Sequence, residues 1–177
     1  MASTRVRNWT LGAACVIGLS ACHPISACGI GGLFAGMPTD QAVAAGWAFD
    51  EAIPGCGFYL NPNAADDHVI GTGTPTEVAW AETRSATDRL DNGIGVGSTF
   101  AELKAAYPGR LDVHVNSAFA DPGSLALYQP VAILKSGDNA ITFKMKAPLG
   151  QPIANSKTVE SVKVSIWSAR GDDEGCA

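Results

Sequence analysis

Two cysteines near the amino terminus lie in matching surroundings that favour lipid attachment to sulfur. The first ends the sequence LSAC at 19–22, and the second ends ISAC at 25–28. In each, an aliphatic residue and two small residues precede the thiol, a pattern that favours cleavage before the cysteine and acylation of its sulfur. We expect Cys22 to be modified because it directly follows an apolar run. A histidine and a proline intervene before Cys28, which is the alternative.

The residues before Cys22 have the layout of an export signal. Arg5 and Arg7 give a positive start without any acidic residue, and about ten apolar residues follow from Trp9 to Leu19. This run is too short to cross a bilayer as a helix, which needs roughly 20 residues. A buried core helix is the other reading, but the charges and the small residues fit export better. The sequence therefore predicts a signal peptide over 1–21, which is removed.

The LSAC sequence resembles the lipobox of bacterial lipoproteins. The resemblance implies a thioether-linked diacylglycerol on Cys22, often with a further acyl chain such as palmitate on the new amino terminus. Two or three acyl chains give stable anchoring where one would be marginal. We therefore expect an exported protein that is anchored to the bacterial cell membrane through its amino-terminal lipid.

The charge balance narrows the range of partners. The chain has 12 basic and 17 acidic residues, and loss of Arg5 and Arg7 with the signal peptide would leave 10 basic residues, a net charge of −7. This balance argues against nucleic acid, whose phosphates require a basic surface. It also argues against electrostatic adhesion to anionic lipid, so the acyl chains would have to supply the anchoring.

The remaining cysteines predict one disulfide bond. Acylation of Cys22 would leave three thiols, an odd number for an oxidising compartment, whereas acylation of Cys28 would leave an even pair. In either case we expect a bond between Cys56 and Cys176, because Cys28 lies in a glycine-containing stretch that is predicted to be a tether over 22–32. Two buried thiols that never meet are the alternative.

Two similar segments predict short helices. The sequence GMPTDQAVAAGW at 36–47 can be aligned with GSTFAELKAAY at 97–107. In the second, Thr99 and Glu102 have the spacing of a capping box. In the first, Thr39 is the expected N-cap. Each helix should place two large apolar residues, four apart, on one face. These pairs are Val43 with Trp47, and Leu103 with Tyr107.

Strand-like segments follow each predicted helix. The last two alternate apolar and polar residues, which indicates one buried and one wet face, and Ser136–Asn139 predicts a tight hairpin turn. We therefore expect an α+β fold with short helices packed on one face of an antiparallel sheet. Two tandem helix-then-strands repeats, 33–92 and 93–177, would share one core. The predicted strands are 57–60, 77–83, 111–115, 127–134, 141–146 and 159–167.

The sequences GMPTDQAV and GSTFAELKAAYP resemble the start of the repeat in BamE-type envelope lipoproteins and in β-lactamase-inhibitor-like proteins. The resemblance implies helices against an antiparallel sheet, sometimes in tandem, and binding of other proteins. Inhibitor-like members use an aromatic-rich open sheet face. In this chain Tyr59, Trp80 and Tyr128 are the strand aromatics that would be exposed for binding.

The residues offer little support for catalysis. Asp66–His68 lacks the further ligands that a zinc site needs, so we predict a solvated loop there. We interpret His114 as a structural histidine. The glycines of 93–98 lack the P-loop ending and predict a turn before a helix. We expect no catalytic residue, cofactor or metal, and a non-catalytic protein that binds another protein or a cell-wall component. An anchored extracytoplasmic hydrolase, using carboxylates not identifiable from sequence, is the alternative.

Overall fold

The computed structural model describes residues 25–61, 70–115 and 129–167, which form an α+β fold. No helix among these residues has the length and apolarity to span a membrane. The expected α+β class with a large antiparallel sheet is confirmed. The elements are β1 (Gly29–Ile30), β2 (Leu33–Phe34), α1 (Thr39–Ala44), β3 (Ala48–Ile53), β4 (Cys56–Leu60), β5 (Ile70–Gly73), β6 (Val78–Thr83), α2 (Phe100–Ala106), β7 (Leu111–His114), β8 (Val131–Ser136), β9 (Asn139–Met145) and β10 (Val159–Ile166).

Eight strands form one antiparallel sheet in the order β3-β4-β5-β6-β10-β9-β8-β7. Strands β3–β6, which we call the first half, are contiguous, and so are β7–β10, the second half. The halves meet where β6 pairs with β10, with Ala81 opposite Val164. The hairpin predicted around Ser136–Asn139 is confirmed, with Gly137 at a φ of 61° in its turn. Strands β1 and β2 form a separate antiparallel ribbon.

The two helices begin differently. In α2 the predicted capping box is confirmed: the Glu102 amide donates to the Thr99 hydroxyl at 3.2 Å, and the Thr99 amide donates to the Glu102 carboxylate at 2.7 Å. In α1 the predicted N-cap is wrong, because Pro38 occupies that position without a side-chain cap and Thr39 is already helical. The Thr39 hydroxyl instead donates to the Thr74 carbonyl at 3.2 Å.

The helices also differ in their apolar pairs. Leu103 and Tyr107 are both buried, as the spacing predicts. For the other pair the prediction is wrong, since Trp47 is buried but Val43 is exposed. The reason is that α1 ends at Ala44 and Gly46 takes a φ of 97°, so helical spacing does not extend to Trp47.

The main core lies on one side of the sheet, which we call the first face. A row of directly paired residues crosses all eight strands on this face, and the buried α2 residues Phe100 and Leu103 belong to the same apolar cluster as most of this row. The other side of the sheet is called the second face below. The row consists of Phe49, Tyr59, Gly71, Ala81, Val164, Ile141, Leu134 and Leu111.

The amino-terminal ribbon is part of this core, so the prediction of a tether over 22–32 is wrong from residue 25 onward. Ile25 and Ile30 are buried in the apolar cluster, together with Leu33. Gly29 is required for close packing and not for flexibility, because a Cβ atom at this position would lie 2.0 Å from the Leu33 carbonyl oxygen. The glycine content of this segment suggests a flexible linker, but burial of its apolar side chains holds it against the sheet.

Candidate ligand site on the second face

Tyr59, expected to be exposed for binding, is fully buried on the first face. Its hydroxyl donates to the Thr74 carbonyl at 3.0 Å and lies 2.5 Å from the Thr39 hydroxyl oxygen. Burial raises the pKa of the Tyr59 phenol above its usual value. The expectation of exposure is therefore wrong, because the first face is the core face of β4. This tyrosine joins α1 to the sheet.

Trp80 is also buried, with 7% of its surface exposed, but it lies on the second face. Its exposure was therefore predicted wrongly as well. Its indole nitrogen is buried and has no hydrogen-bond partner, which is unusual because a buried indole N–H normally finds an acceptor. Trp80 thus remains a candidate for ligand contact. Tyr128, the third predicted binding residue, lies outside the described residues.

The cysteine predictions fall mostly outside the described part of the chain. Cys28 and Cys56 are both disulfide-bonded. Cys22 and Cys176 lie outside the described residues, as does the signal peptide over 1–21. Acylation of Cys22 and the Cys56–Cys176 pairing therefore stay predictions.

Polar residues from four strands meet on the second face. Across the sheet, Trp80 on β6 lies between Thr72 on β5 and Ser165 on β10. In the neighbouring row, Lys163 on β10 lies between Glu82 on β6 and Thr142 on β9. We call these six residues the polar cluster. It lies where the two halves of the sheet meet, because β6 pairs with β10 there.

The polar cluster contains several unsatisfied hydrogen-bonding atoms. Five atoms of the cluster are buried without a hydrogen-bond partner: Oγ1 of Thr72, Nε1 of Trp80, Oε1 of Glu82, Oγ1 of Thr142 and Oγ of Ser165. Leaving one such group unpaired costs about 1–3 kcal/mol. Native structures contain few of these groups, so five at one location are an uncommon concentration. This arrangement indicates a place where an additional hydrogen-bonding group is accommodated.

The charges around the cluster are predominantly positive. Lys163 is 1% exposed, and its Nζ lies 5.7 Å from the centroid of the Trp80 ring, within the range of a cation–π contact. The Lys144 Nζ lies 2.9 Å from Oε2 of Glu82. The Arg84 Nε lies 4.0 Å from the other carboxylate oxygen of Glu82, so Lys144 and Arg84 share this carboxylate.

The prediction of a wet face on the last two strands is wrong. Thr142 on β9 and both Lys163 and Ser165 on β10 are buried, although the alternation of their strands suggested exposure. Around them a second, smaller apolar cluster has formed from Val131, Ile133 and Ala140, with Trp167 packed against it. On β9, on β10 and at the start of β8, side chains on both faces of the sheet are therefore mostly buried.

An exposed apolar patch adjoins the polar cluster in the first half. Phe58 and Leu60 on β4 and Ile70 on β5 are 43%, 43% and 44% exposed. Leu60 lies directly opposite Ile70, and Phe58 directly opposite Thr72 of the polar cluster. We call Phe58, Leu60 and Ile70 the apolar patch. Contiguous exposed apolar side chains of this kind are typical of interaction surfaces.

The other candidates do not form a site. Asp66–His68 lies outside the described residues, and among the residues that are described no group of three or more His, Cys, Asp or Glu side chains is arranged to hold a metal ion. His114 pairs with its strand neighbour, its Nε2 lying 2.9 Å from Oδ2 of Asp112. In 93–98 the Gly95 amide donates to the Ser98 hydroxyl at 3.1 Å, forming a turn before α2.

Comparison with known proteins gives structural neighbours alone. No family model and no curated protein matches the chain. The uncharacterized protein yfeY from Escherichia coli has a TM-score of 0.49 at 15% identity, covering 80% of this chain and 98% of yfeY. An extracellular protein containing a SCP domain from Bacillus anthracis str. Ames has a TM-score of 0.48 at 8% identity, covering 76% of this chain and 45% of that protein. Neither similarity assigns a function.

Proposed function

We propose that this chain is an exported, lipid-anchored and non-catalytic protein of the bacterial envelope that binds another protein or a cell-wall component. The binding surface is the second face of the sheet in its first half. The observation that carries the proposal is the apolar patch of Phe58, Leu60 and Ile70, which is exposed on regular strands beside buried polar atoms without partners. An ordered, exposed apolar surface next to hydrogen-bonding groups combines the features of a recognition site.

The lipid anchor is supported by the lipobox-like sequence LSAC at 19–22, which directly follows the apolar run. Ile25, three residues after Cys22, is already in the core. Three residues span at most about 10 Å. The anchor would therefore hold the folded domain close to the membrane surface.

We propose that the chain consists of two tandem repeats, 33–92 and 93–177, and that each repeat supplies one half of the sheet. Each half contains one short helix followed by four sequential strands, and β6 and β10 occupy equivalent places at the centre of the sheet. This agrees with the resemblance to BamE-type and β-lactamase-inhibitor-like proteins. On this view the polar cluster lies between the repeats, with Trp80 contributed by the first and Lys163 by the second.

Lipid labelling of two cysteine variants tests the anchor. In cells fed radiolabelled palmitate, Cys22→Ala should lose the label and leave the membrane fraction, because its acceptor sulfur is absent. Cys28→Ala, the matched control, should keep both. Label that persists on Cys22→Ala but disappears from Cys28→Ala would transfer the anchor to the second position and contradict the proposal.

Photo-cross-linking tests the binding surface. A photoreactive amino acid placed at Phe58 should form a defined adduct with an envelope protein or with cell-wall material in intact cells. The control position is Val43 on α1, which is 51% exposed and lies outside the apolar patch. Equal adducts at both positions, or none at Phe58, would show that the patch is not the binding surface. A Leu60→Asp substitution should remove the Phe58 adduct by placing a charge on the contact.

A further inference from the structure

We propose that the edge strand β3 binds an extended, positively charged segment of a partner protein, which pairs with β3 and lies beside the apolar patch. This inference rests on the proposed binding function and names the kind of partner that the second face receives. The segment extends the antiparallel sheet by one strand. In this mode of recognition, backbone hydrogen bonds supply affinity and side-chain contacts supply specificity.

Strand β3 offers a free backbone edge. It ends the described sheet on the side of the first half, where it pairs with β4 alone. Five of its six residues are exposed. The outer side of an edge strand presents backbone N–H and C=O groups that can pair with another chain. The pairing of β3 with β4 is regular over residues 48–50 and becomes irregular before Ile53, so 48–50 is the stretch on which a partner strand can pair.

The charge of the first half favours a basic partner. No lysine or arginine occurs between Arg7 and Arg84, whereas seven of the 17 acidic residues do. The other ten acidic residues all follow Arg84, and ten basic residues, Arg84 included, match them. The excess of acidic over basic residues in the predicted mature chain therefore comes entirely from the part before Arg84. Such an imbalance attracts a partner of opposite charge and disfavours others.

Two of these acidic residues are on β3 itself. Asp50 and Glu51 are exposed, and neither forms an ion pair within the described part of the chain. The Glu51 carboxylate accepts a hydrogen bond from the Gly55 amide at 2.7 Å, which leaves its charge uncompensated. A second copy of β3 would bring the carboxylates of both copies close together, which is unfavourable. The edge is therefore suited to a basic segment and not to self-pairing.

The pairing with β4 indicates which side chains the segment needs. Ala48 and Asp50 lie on the second face, because Ala48 is directly opposite Leu60 and Asp50 is directly opposite Phe58. A partner strand places two side chains, two residues apart, next to Ala48 and Asp50. A lysine or arginine next to Asp50 neutralises its carboxylate. A long apolar side chain next to the small Ala48 reaches over it to Leu60 of the apolar patch.

Fluorescence anisotropy of short dye-labelled peptides, titrated with the purified full-length protein in detergent, tests this proposal. The basic probe has threonine at every second position, with lysine and leucine alternating between, so that lysine and leucine share one face. One control peptide has glutamate in place of lysine, and the other has two central prolines, which remove backbone donors. The basic probe should bind at least tenfold more tightly than either control. No binding of the basic probe, or equal binding of a control, would overturn the proposal.

Two variants with the same change in charge show whether binding occurs at β3. Asp50→Asn with Glu51→Gln should weaken binding of the basic probe at least tenfold. Asp91→Asn with Asp138→Asn is the control, because it removes two carboxylates from exposed positions outside β3, and it should bind like the wild type. Affinities of the two double variants within twofold of each other would overturn the assignment to β3.

Hydrogen exchange followed by mass spectrometry separates strand pairing from simple charge attraction. The bound basic probe should slow exchange of the β3 amides several-fold, while the amides of β7, the opposite edge of the described sheet, should exchange as before. Strand β7 is the comparison because Oδ2 of Asp112 lies 2.9 Å from Nε2 of His114 and Arg110 directly precedes the strand. Unchanged exchange at β3 with the probe bound would overturn pairing with this edge.

Two further measurements address other occupants of the surface. A dimer in sedimentation velocity that the basic probe dissociates would assign the edge to a second copy of the chain and overturn the proposal. Loss of probe binding in phosphatidylcholine nanodiscs would assign the patch to lipid and overturn it as well. A specific Phe58 adduct without binding of the basic probe would reject the basic segment while the proposed function stands.

Discussion

The two halves of the sheet use their second faces differently. In the first half, Phe58, Leu60 and Ile70 are exposed on β4 and β5. In the second half, Val131, Ile133 and Ala140 on β8 and β9 are buried in a small apolar cluster. Both halves have short antiparallel strands with apolar side chains on this face, so strand pattern alone does not separate a binding surface from a core. Under the proposed function, the second half would contribute stability and the first half would contribute the binding surface.

Replacing one isoleucine by alanine in each half should show the largest difference, measured as the loss in free energy of unfolding. Ile133→Ala is expected to lower the free energy of unfolding by about 3 kcal/mol, because it leaves a cavity in a packed cluster. Ile70→Ala, its match in the first half, should cost about 1 kcal/mol or less, because that side chain is 44% exposed. Urea denaturation measures both. Equal losses would show that the halves do not differ in this way.

Replacing a threonine by valine should lower the free energy of unfolding more on the first-face side of the sheet than on the second face. Thr39→Val should cost about 1.5 kcal/mol, because it removes the hydroxyl that donates to the Thr74 carbonyl and contacts the Tyr59 hydroxyl. Thr142→Val should be close to neutral, because its hydroxyl oxygen is buried without a partner. Chemical denaturation in the absence of ligand compares them. A larger loss at Thr142 would mean that its hydroxyl is already satisfied and would weaken the case for the polar cluster.

Substitutions at the N-termini of the two helices should change the stability by smaller amounts. Thr99→Ala should cost about 1 kcal/mol, because it removes a side-chain cap from α2. Asp40→Ala in the first turn of α1 should cost less, since no side chain caps that helix and Asp40 accepts only from the amide of Gln41 at 2.9 Å. Calorimetric Tm values are sufficient to rank the two. The reverse order would contradict the assigned capping box.

The smallest expected effect is a pH dependence at Glu102. Hydrogen bonds from the Thr99 amide and hydroxyl lower the pKa of this carboxyl below its ordinary 4.5. Because the folded pKa is the lower one, the stabilisation is complete above the ordinary pKa and is lost as the pH falls through the folded value. Glu102→Gln cannot titrate, so its stability should fall less than that of the wild type between about pH 6 and pH 3. Parallel acid losses in both proteins would argue against this coupling.

Local signals in the sequence were enough to predict part of the fold. Thr99 with Glu102 marks the start of α2, and the Gly137 turn marks the β8–β9 hairpin, because both depend on residues near one another in the chain. Strands β3 and β5 were missed. β3 is an edge strand that carries two acidic residues. β5 contains Gly71, where a Cβ atom would lie 2.2 Å from Cδ2 of Leu33, a contact set by distant residues.

The candidate site was less predictable than the fold. Aromatic side chains suggested exposure at Tyr59 and Trp80, yet both are buried, and only Trp80 belongs to the polar cluster. Lys163 and Thr142 look like residues of a wet strand face. Their burial depends on which strands become neighbours and on what lies above them, which alternation within a strand does not encode. The exposed Phe58 is likewise distinguished by tertiary structure alone.

Protection of an introduced cysteine in living cells tests most directly whether the apolar patch is a binding surface. Phe58→Cys and the control Val43→Cys, both at exposed positions, are treated with a membrane-impermeant maleimide in spheroplasts and as purified proteins. We predict that Phe58→Cys reacts several-fold more slowly in spheroplasts than after purification, while Val43→Cys reacts equally in both. Equal reactivity of Phe58→Cys in the two settings would contradict a partner on this face.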